Sequence, residues 1–108
     1  MATGGNLPAV QTYVLLSTLS ATGVETLKKN PSRLQQVNAQ IEAMGARIVN
    51  QWAVLGPYDF VTIIEAPDHL TVAQIAVELG SRGSTRIQSL PAIPISDFLS
   101  ALSESRGH

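Results

Sequence analysis

The side chains best suited to chemistry in this sequence are Tyr58 and Asp59, which follow a turn containing Gly56 and Pro57. A carboxylate at the start of a strand can act as an acid or base or can anchor a ligand, and a phenol can donate a hydrogen bond. Arg86 is expected near the start of another strand at the same sheet edge, within reach of Asp59. Such a pair serves either as an ion pair or turn cap that holds the edge, or as part of a binding site.

Aromatic and polar side chains on neighbouring strands could complete a ligand pocket. Trp52 could stack on a ring-shaped ligand, although large aromatic residues in a small sheet also serve as packing. Strand alternation groups Trp52 with Asn50 and Ile48 and puts Gln51 on the opposite face, but it leaves open which group meets a pocket. The predicted ligand-binding residues are Tyr13, Ser17, Trp52, Tyr58, Asp59, Thr62 and Arg86, of which Asp59 and Tyr58 are the candidate catalytic residues.

Two other features resemble functional sites but have simpler explanations. His69 is the only histidine inside the predicted folded region, and at a helix start it is more simply a solvent-facing residue than a base or metal ligand. The segment 80–84, Gly-Ser-Arg-Gly-Ser, could hold an anion, but a helix end followed by a turn also explains both glycines. We therefore predict no metal and no cofactor, and a haem would lack a well-placed axial ligand.

The composition excludes several classes of protein. Seven Lys and Arg against eight Asp and Glu give a net charge of -1, so no strong field attracts nucleic acid or anionic lipid. The absence of cysteine excludes disulfides and thiolate chemistry and fits a reducing interior, so we expect a cytoplasmic protein. No apolar run approaches the roughly 20 residues that span a bilayer, and residues 1–10 lack the features of a signal peptide.

The elements that must position these side chains form one predicted domain over residues 11–102, with flexible tails at 1–10 and 103–108. Two apolar-rich runs within 47–66, joined by a tight Gly-Pro turn, predict a β-hairpin. Further strands are predicted over 12–19 and 84–92, where β-branched and aliphatic residues cluster between turn residues.

Helical patterns connect the hairpin to the outer strands. Thr22 and Glu25 have the spacing of a capping box for a short helix, which Asn30 and Pro31 interrupt. A longer apolar stripe follows and ends at Gly45, and another follows the hairpin. The order β-α-β-β-α-β predicts an α+β, ferredoxin-like fold, in which a four-stranded antiparallel sheet has strands one and three at its centre and helices on one face.

Alternation along the third strand separates two sets of side chains. We expect Val61 and Ile63 to meet the helices, because this set is purely aliphatic. The opposite set, joined by Tyr13 and Ser17 of the first strand, would face the open side: Tyr58, Phe60, Thr62 and Ile64. Since one layer of helices covers only one sheet face, an apolar second face predicts a partner copy, and two such faces would enclose space for a small ligand.

Five segments of the chain resemble the GYD domain family. They are Val14 to Leu19, Asn30-Pro31-x-Arg-Leu, Leu55 to Phe60, Ile64 to Asp68, and Arg86 to Ala92, within a match of roughly residues 11–102. The resemblance implies a dimeric α+β barrel and places the Gly-x-Tyr-Asp stretch at Gly56, Tyr58 and Asp59. Related barrels include cofactor-independent monooxygenases, haem-degrading enzymes, isomerases and effector-binding modules, so the resemblance implies the fold without the reaction.

We therefore expect a homo-oligomeric, cofactor-free, small-molecule-binding protein of the GYD type that associates with itself through the sheet. One alternative is a monooxygenase-like or isomerase-like enzyme in which Tyr58, Asp59 and Trp52 position an aromatic or polyketide-like substrate. Another alternative is an assembly protein without a ligand. The expected partner is a second copy of the chain, and neither nucleic acid nor membrane is expected.

Overall fold

A computed structural model describes residues 10–106, which form one four-stranded antiparallel sheet and four helices. The elements are β1 (Gln11–Leu19), α1 (Ala21–Lys29), α2 (Ser32–Ala43), β2 (Arg47–Ala53), β3 (Phe60–Ala66), α3 (His69–Gly80), β4 (Thr85–Ala92) and α4 (Ile95–Arg106). The strand order is β2-β3-β1-β4, with β1 antiparallel to both of its neighbours. The predicted α+β, ferredoxin-like fold is confirmed. The predicted tails at 1–10 and 103–108 lie mostly outside the described residues, although α4 itself continues to Arg106.

Local sequence signals set most of the helix ends. The helix breaks at Asn30 and Pro31, as predicted, but we expected Asn30 to cap the second helix and Pro31 to be its first residue. Instead, Asn30 is the C-cap of α1 and Pro31 is the N-cap of α2. Gly45 adopts a φ of 110° just after α2, as predicted. The start of α1 differs from the prediction, because Ser20 rather than Thr22 is the N-cap. The Ser20 hydroxyl accepts a hydrogen bond from the Gly23 N–H at 3.1 Å. The helix therefore begins earlier than predicted and follows β1 almost without a loop.

The hydrophobic core lies between one face of the sheet and helices α2 and α3. Its buried apolar side chains are Tyr13, Leu15, Ile41, Ala46, Ile64, Ala66, Val72, Ile75 and Leu79. This arrangement shows that our assignment of the two sheet faces was wrong. Phe60, Thr62 and Ile64 face the helices, together with Tyr13 and Ser17 of β1, whereas Val61 and Ile63 face away.

Hydrogen bonding explains why polar side chains are found on the buried face. Thr62 is only 3% exposed, and its hydroxyl accepts a hydrogen bond from Gln51 Nε2 at 3.0 Å. The Tyr13 hydroxyl lies at the end of the sheet, where Gln11 and His69 are its partners. Because both of these hydroxyl groups have partners, their burial costs little, and polar content does not mark the solvent side.

The second face of the sheet, which we call the open sheet face, carries no helix among the described residues. Its apolar side chains are Val14, Leu16, Trp52, Val61, Ile63 and Leu90. A β-bulge at Val49 decides the position of the tryptophan, since the register shifts there. Ile48 consequently faces the helices, whereas Asn50 and Trp52 lie on the open sheet face, where Trp52 is 49% exposed.

Helix α4 extends away from the rest of the described chain. Its apolar side chains are largely exposed and recur at helical spacing: Ile95, Phe98, Leu99 and Leu102. The Cα radius of gyration is 16.6 Å, compared with about 13 Å for a compact domain of this size. In the part of the chain that the structure describes, no helix has the length and hydropathy required to cross a bilayer.

Candidate functional site

Asp59 ties the end of β1 to the connection between β2 and β3. Its Oδ2 atom accepts a hydrogen bond from the Leu19 N–H at 2.7 Å. The backbone of Asp59 donates to the Ser17 carbonyl at 2.8 Å and accepts from the Val54 N–H at 2.9 Å. Three hydrogen bonds at one residue fix the turn against the central strand, which is a structural use of this carboxylate.

Arg86 does not pair with Asp59, contrary to our expectation. Arg86 lies opposite Thr18 in the β1–β4 ladder and is exposed on the open sheet face. The carboxylate of Asp59 is instead directed at the Leu19 N–H at the end of β1. Among the described residues, the ion pairs do not include these two side chains. The two residues share an edge of the sheet but do not form the pair that we predicted.

Tyr58 lies near the same edge and reaches across to β4. Its hydroxyl donates a hydrogen bond to Gln88 Oε1 at 3.1 Å, and Gln88 lies opposite Leu16 on the open sheet face. Trp52 is also on this face, beside Val61. The predicted ligand-binding residues are therefore divided, with Tyr58, Trp52 and Arg86 on the open sheet face and the rest elsewhere.

Tyr13 forms a hydrogen-bonded group with His69 at the other end of the sheet. The Tyr13 hydroxyl lies 2.6 Å from His69 Nδ1 and 2.8 Å from Gln11 Oε1, and the two rings meet edge to face. With one proton, the hydroxyl donates to Gln11 while a protonated Nδ1 donates to the phenol oxygen. Burial raises the pKa of Tyr13, and the negative charge of Asp68 adds to this shift. The group holds the start of α3 against β1. His69 is exposed, as we expected, and it also contacts the Tyr13 hydroxyl, which we did not predict.

A partly open cavity of about 90 Å³ lies between the sheet and helices α1 and α2. Its walls are mainly apolar, and they include side chains from all four strands. The aliphatic and aromatic lining residues are Leu15, Leu19, Leu27, Leu34, Val37, Ile41, Phe60, Leu79 and Ile87. Ser17 and Thr62, two of the predicted ligand-binding residues, also line it. The structure thus brings these two together in a cavity on the helix side of the sheet, on the opposite face from the one that we predicted.

Polar side chains border this cavity on the side of α2. Asn38 and Gln51 bond to each other twice, through Nδ2 to Oε1 at 2.8 Å and Nε2 to Oδ1 at 3.1 Å. Arg33 is half-buried among the lining residues, and Arg82 lies at the other side. Arg82 bonds to Gln40 and forms an ion pair with Glu78, whereas Arg33 donates a hydrogen bond to a neutral amide.

Three cavity residues were not predicted from the sequence: Arg33, Asn38 and Gln51. A signal for Asn38 was present, because it stands four residues after Leu34 and directly after Val37, within the stripe that faces the sheet. A polar side chain inside an apolar stripe requires a partner. Gln51 could not be assigned to a face without the bulge in β2. The described residues contain no cluster of three or more side chains suited to holding a metal ion.

Comparison with known proteins shows which family the sequence of this chain matches. The family model described as "GYD domain" matches residues 13–102, a range that includes every cavity residue named above. The chain is also similar to a protein of Thermus thermophilus whose name is "Glutamine synthetase and cystathionine beta-lyase binding protein". The two sequences are 50% identical over 92 residues, which cover 84% of this chain and 97% of that protein. The similarity therefore extends over most of this chain and nearly the whole of that protein.

Proposed function

The chain belongs to the GYD domain family, and we propose that it is a homo-oligomeric binding protein that docks onto other proteins, metabolic enzymes among them. The docking proposal rests on the relative from Thermus thermophilus. Half of the aligned residues are identical, and the alignment covers nearly the whole length of that relative. That relative is named for binding glutamine synthetase and cystathionine β-lyase. We extend a protein-binding role, with enzymes of these two kinds as the first candidates, to the present chain.

The self-association part is supported by two apolar surfaces that the described chain does not cover itself. These are the open sheet face and the exposed stripe of α4. We assign both to a second copy of the chain. On the open sheet face, Arg47 and Glu65 already form a cross-strand ion pair of 2.7 Å, which limits the charge brought to the centre of such an interface.

The sizes of the two surfaces suit a dimer. Strands spaced about 4.8 Å apart and about 23 Å long give a four-stranded face about 19 Å wide. A helix of the length of α4 adds a strip about 18 Å long. Together they approach the roughly 800 Å² of accessible surface per partner that a stable interface buries. A two-fold axis through the sheet would place the same patch on both copies.

Sedimentation velocity of the purified chain at micromolar concentration tests self-association. We expect a dimer or larger species, and we expect Ile63→Glu to shift it toward monomer because it puts a charge in the centre of the open sheet face. Val77→Glu is the matched control, since Val77 is 71% exposed on α3, away from that face. A monomer of the unsubstituted chain, or equal behaviour of the two variants, would contradict the self-association proposal.

Binding to enzymes is tested separately with purified glutamine synthetase and cystathionine β-lyase from the same source organism. Biolayer interferometry with the immobilised chain is expected to give saturable binding, with a Kd of about 10 μM or tighter for at least one of them. An unrelated oligomeric enzyme of similar charge is the control. If neither enzyme shows saturable binding at concentrations up to about 100 μM, the docking proposal is overturned.

Small-molecule binding is a second candidate function, favoured by the cavity between the sheet and helices α1 and α2. Its mainly apolar walls, with a few polar side chains at the margin, support a site for a small apolar ligand. The enzyme alternative with Tyr58, Asp59 and Trp52, the assembly alternative and the cytoplasmic setting remain predictions. For the enzyme, loss of turnover of an identified substrate in Asp59→Asn is the expected result.

A further inference from the structure

We propose that the cavity beneath α1 and α2 binds a small carboxylic acid with an apolar tail, and that Arg33 pairs with its carboxylate. The inference rests on the small-molecule binding proposed above and adds the location, the ligand class and the residue that recognises it. The tail would fill the apolar space, and the carboxylate would remain at the margin where the guanidinium is partly exposed.

The cavity is held open by contacts on two of its sides. On one side, α1 is fixed against the loop before β4, where the Ser20 N–H donates to the Ser84 carbonyl at 3.0 Å. Gly23 lies so close to that carbonyl that a Cβ atom would be 2.2 Å from its oxygen. On the other side, the paired amides of Asn38 and Gln51 connect α2 to β2. These contacts fix both helices, so the space between them does not close by a simple shift of either one.

The walls suit an apolar body. Leucine, valine, isoleucine and phenylalanine side chains supply nearly half of the lining residues and make the walls mainly apolar, which suits a small hydrocarbon chain. The amides in the wall already have partners, since Gln51 donates both to Asn38 and to the Thr62 hydroxyl. A ligand with several polar groups inside the cavity would therefore leave them without hydrogen bonds.

The position of Arg33 at the cavity margin indicates that the ligand carries a negative charge. Its Nη1 atom donates to Gln36 Oε1 at 3.3 Å, a long hydrogen bond to a neutral group. Within residues 10–106, the ion pairs involve Lys29, Arg47 and Arg82 and leave Arg33 without a carboxylate partner. A guanidinium presents two parallel N–H donors that match a carboxylate, so a carboxylic acid fits this arginine better than an amine or a neutral polar group.

The test compares hexanoate with 1-hexanol, which has the same carbon chain and no charge. Binding is followed by isothermal titration calorimetry and by NMR chemical-shift changes at the methyl groups of Leu27, Leu34 and Ile87. We expect both compounds to shift these methyl signals and hexanoate to bind about tenfold more tightly, as expected for a charge-assisted hydrogen bond. Arg33→Gln should remove this difference, whereas Arg47→Gln, on the opposite face of the sheet, should leave it unchanged.

A second variant distinguishes binding inside the cavity from recognition of the carboxylate by Arg33. Ser17→Val adds apolar volume inside the cavity, while the main-chain carbonyl of Ser17 keeps its hydrogen bond to Asp59. It should abolish binding of both compounds without lowering Tm. Equal affinities for hexanoate and hexanol would overturn the role of Arg33 and leave small-molecule binding in place. No shift of the cavity methyl groups with either compound would overturn both.

Discussion

Asp59 shows how a residue with apparent catalytic potential can be explained by backbone geometry. Its carboxylate receives the Leu19 N–H at the end of β1, a donor that lies beyond the last residue pair of the β1–β3 ladder. A catalytic carboxylate and a structural one both require a charged oxygen at a defined position. The contacts of the side chain, rather than its type, therefore decide between the two interpretations.

Substitution of Asp59 distinguishes a structural carboxylate from a catalytic one. Asp59→Ala should lower the free energy of unfolding by about 1–2 kcal/mol, because the Leu19 N–H loses a charged acceptor. Asp59→Asn retains an acceptor oxygen and should cost less than half as much. Urea unfolding followed by circular dichroism measures both, and equal losses in the two variants would contradict the assigned hydrogen bond.

Asp68 gives the fold a defined response to acid. It is the N-cap of α3, and hydrogen bonds from the backbone N–H and then the hydroxyl of Thr71 lower the pKa of its carboxyl from 3.8. The stability that comes from a lowered pKa in the folded state is fully present above the ordinary value and is lost as pH falls through the folded value. The Tm of Asp68→Ala should therefore lie below that of the unsubstituted chain at pH 7, and the gap should narrow below pH 3.8. A Tm difference between the two proteins that does not change with pH would show that the lowered pKa of Asp68 is not its cause.

The sequence predicted which strand residues share a face of the sheet, but not which face meets the helices. Thr62 and Tyr13 show the reason. Sequence alternation correctly grouped Thr62 with Phe60 and Ile64, but the choice of face rested on polarity. Polarity failed because Gln51 and His69 satisfy the two hydroxyl groups inside or beside the core. Such partners come from other elements and have no signature in the strand itself.

At the scale of elements, the fold was largely predictable because each break in the chain has a local cause. The Asn30-Pro31 interruption, the turn at Gly45 and the hairpin at Gly56 all appear where turn chemistry requires them. The bulge in β2 was not predictable, since no residue near Val49 demands it. It shifts the side-chain pattern by one position, and this shift alone moved Ile48 and Trp52 to opposite faces.

Gly23 provides the prediction at this scale, because it controls how close α1 comes to β4. A Cβ atom there would lie 2.2 Å from the Ser84 carbonyl oxygen, so Gly23→Ala must move α1 outward. We expect a loss of about 2 kcal/mol in the free energy of unfolding, within the usual range for overpacking. Gly80→Ala is the matched control, since its nearest contact outside the helix would be 3.9 Å away. It should be neutral or stabilising by up to about 1 kcal/mol.

At the scale of the whole molecule, α4 is the element least explained by its own chain. Its apolar residues at helical spacing are exposed, and it makes few contacts with the other described elements. The folded domain was expected to end near residue 102, and in the structure the helix continues to Arg106. Sequence could not show where α4 lies, because an amphipathic helix is compatible with packing in its own fold or in another copy.

Removal of α4 tests whether it serves assembly rather than the fold. A chain that ends after Pro94 keeps the whole core and all four strands. At low concentration its Tm should fall by no more than about 2 °C, since few buried contacts are lost. Its sedimentation coefficient at micromolar concentration should correspond to a smaller species than that of the full chain. A large loss of Tm in the monomer would show instead that α4 belongs to its own domain.

The exposed position of α4 also bears on how long an unassembled copy would survive in a cell. A helix with few tertiary contacts opens readily, and exposed segments that open are preferred sites of cleavage by proteases. Copies whose α4 is covered by a neighbour would be protected, and surplus copies would be degraded first. The abundance of this protein would then follow the amount that finds a partner rather than the amount that is synthesised.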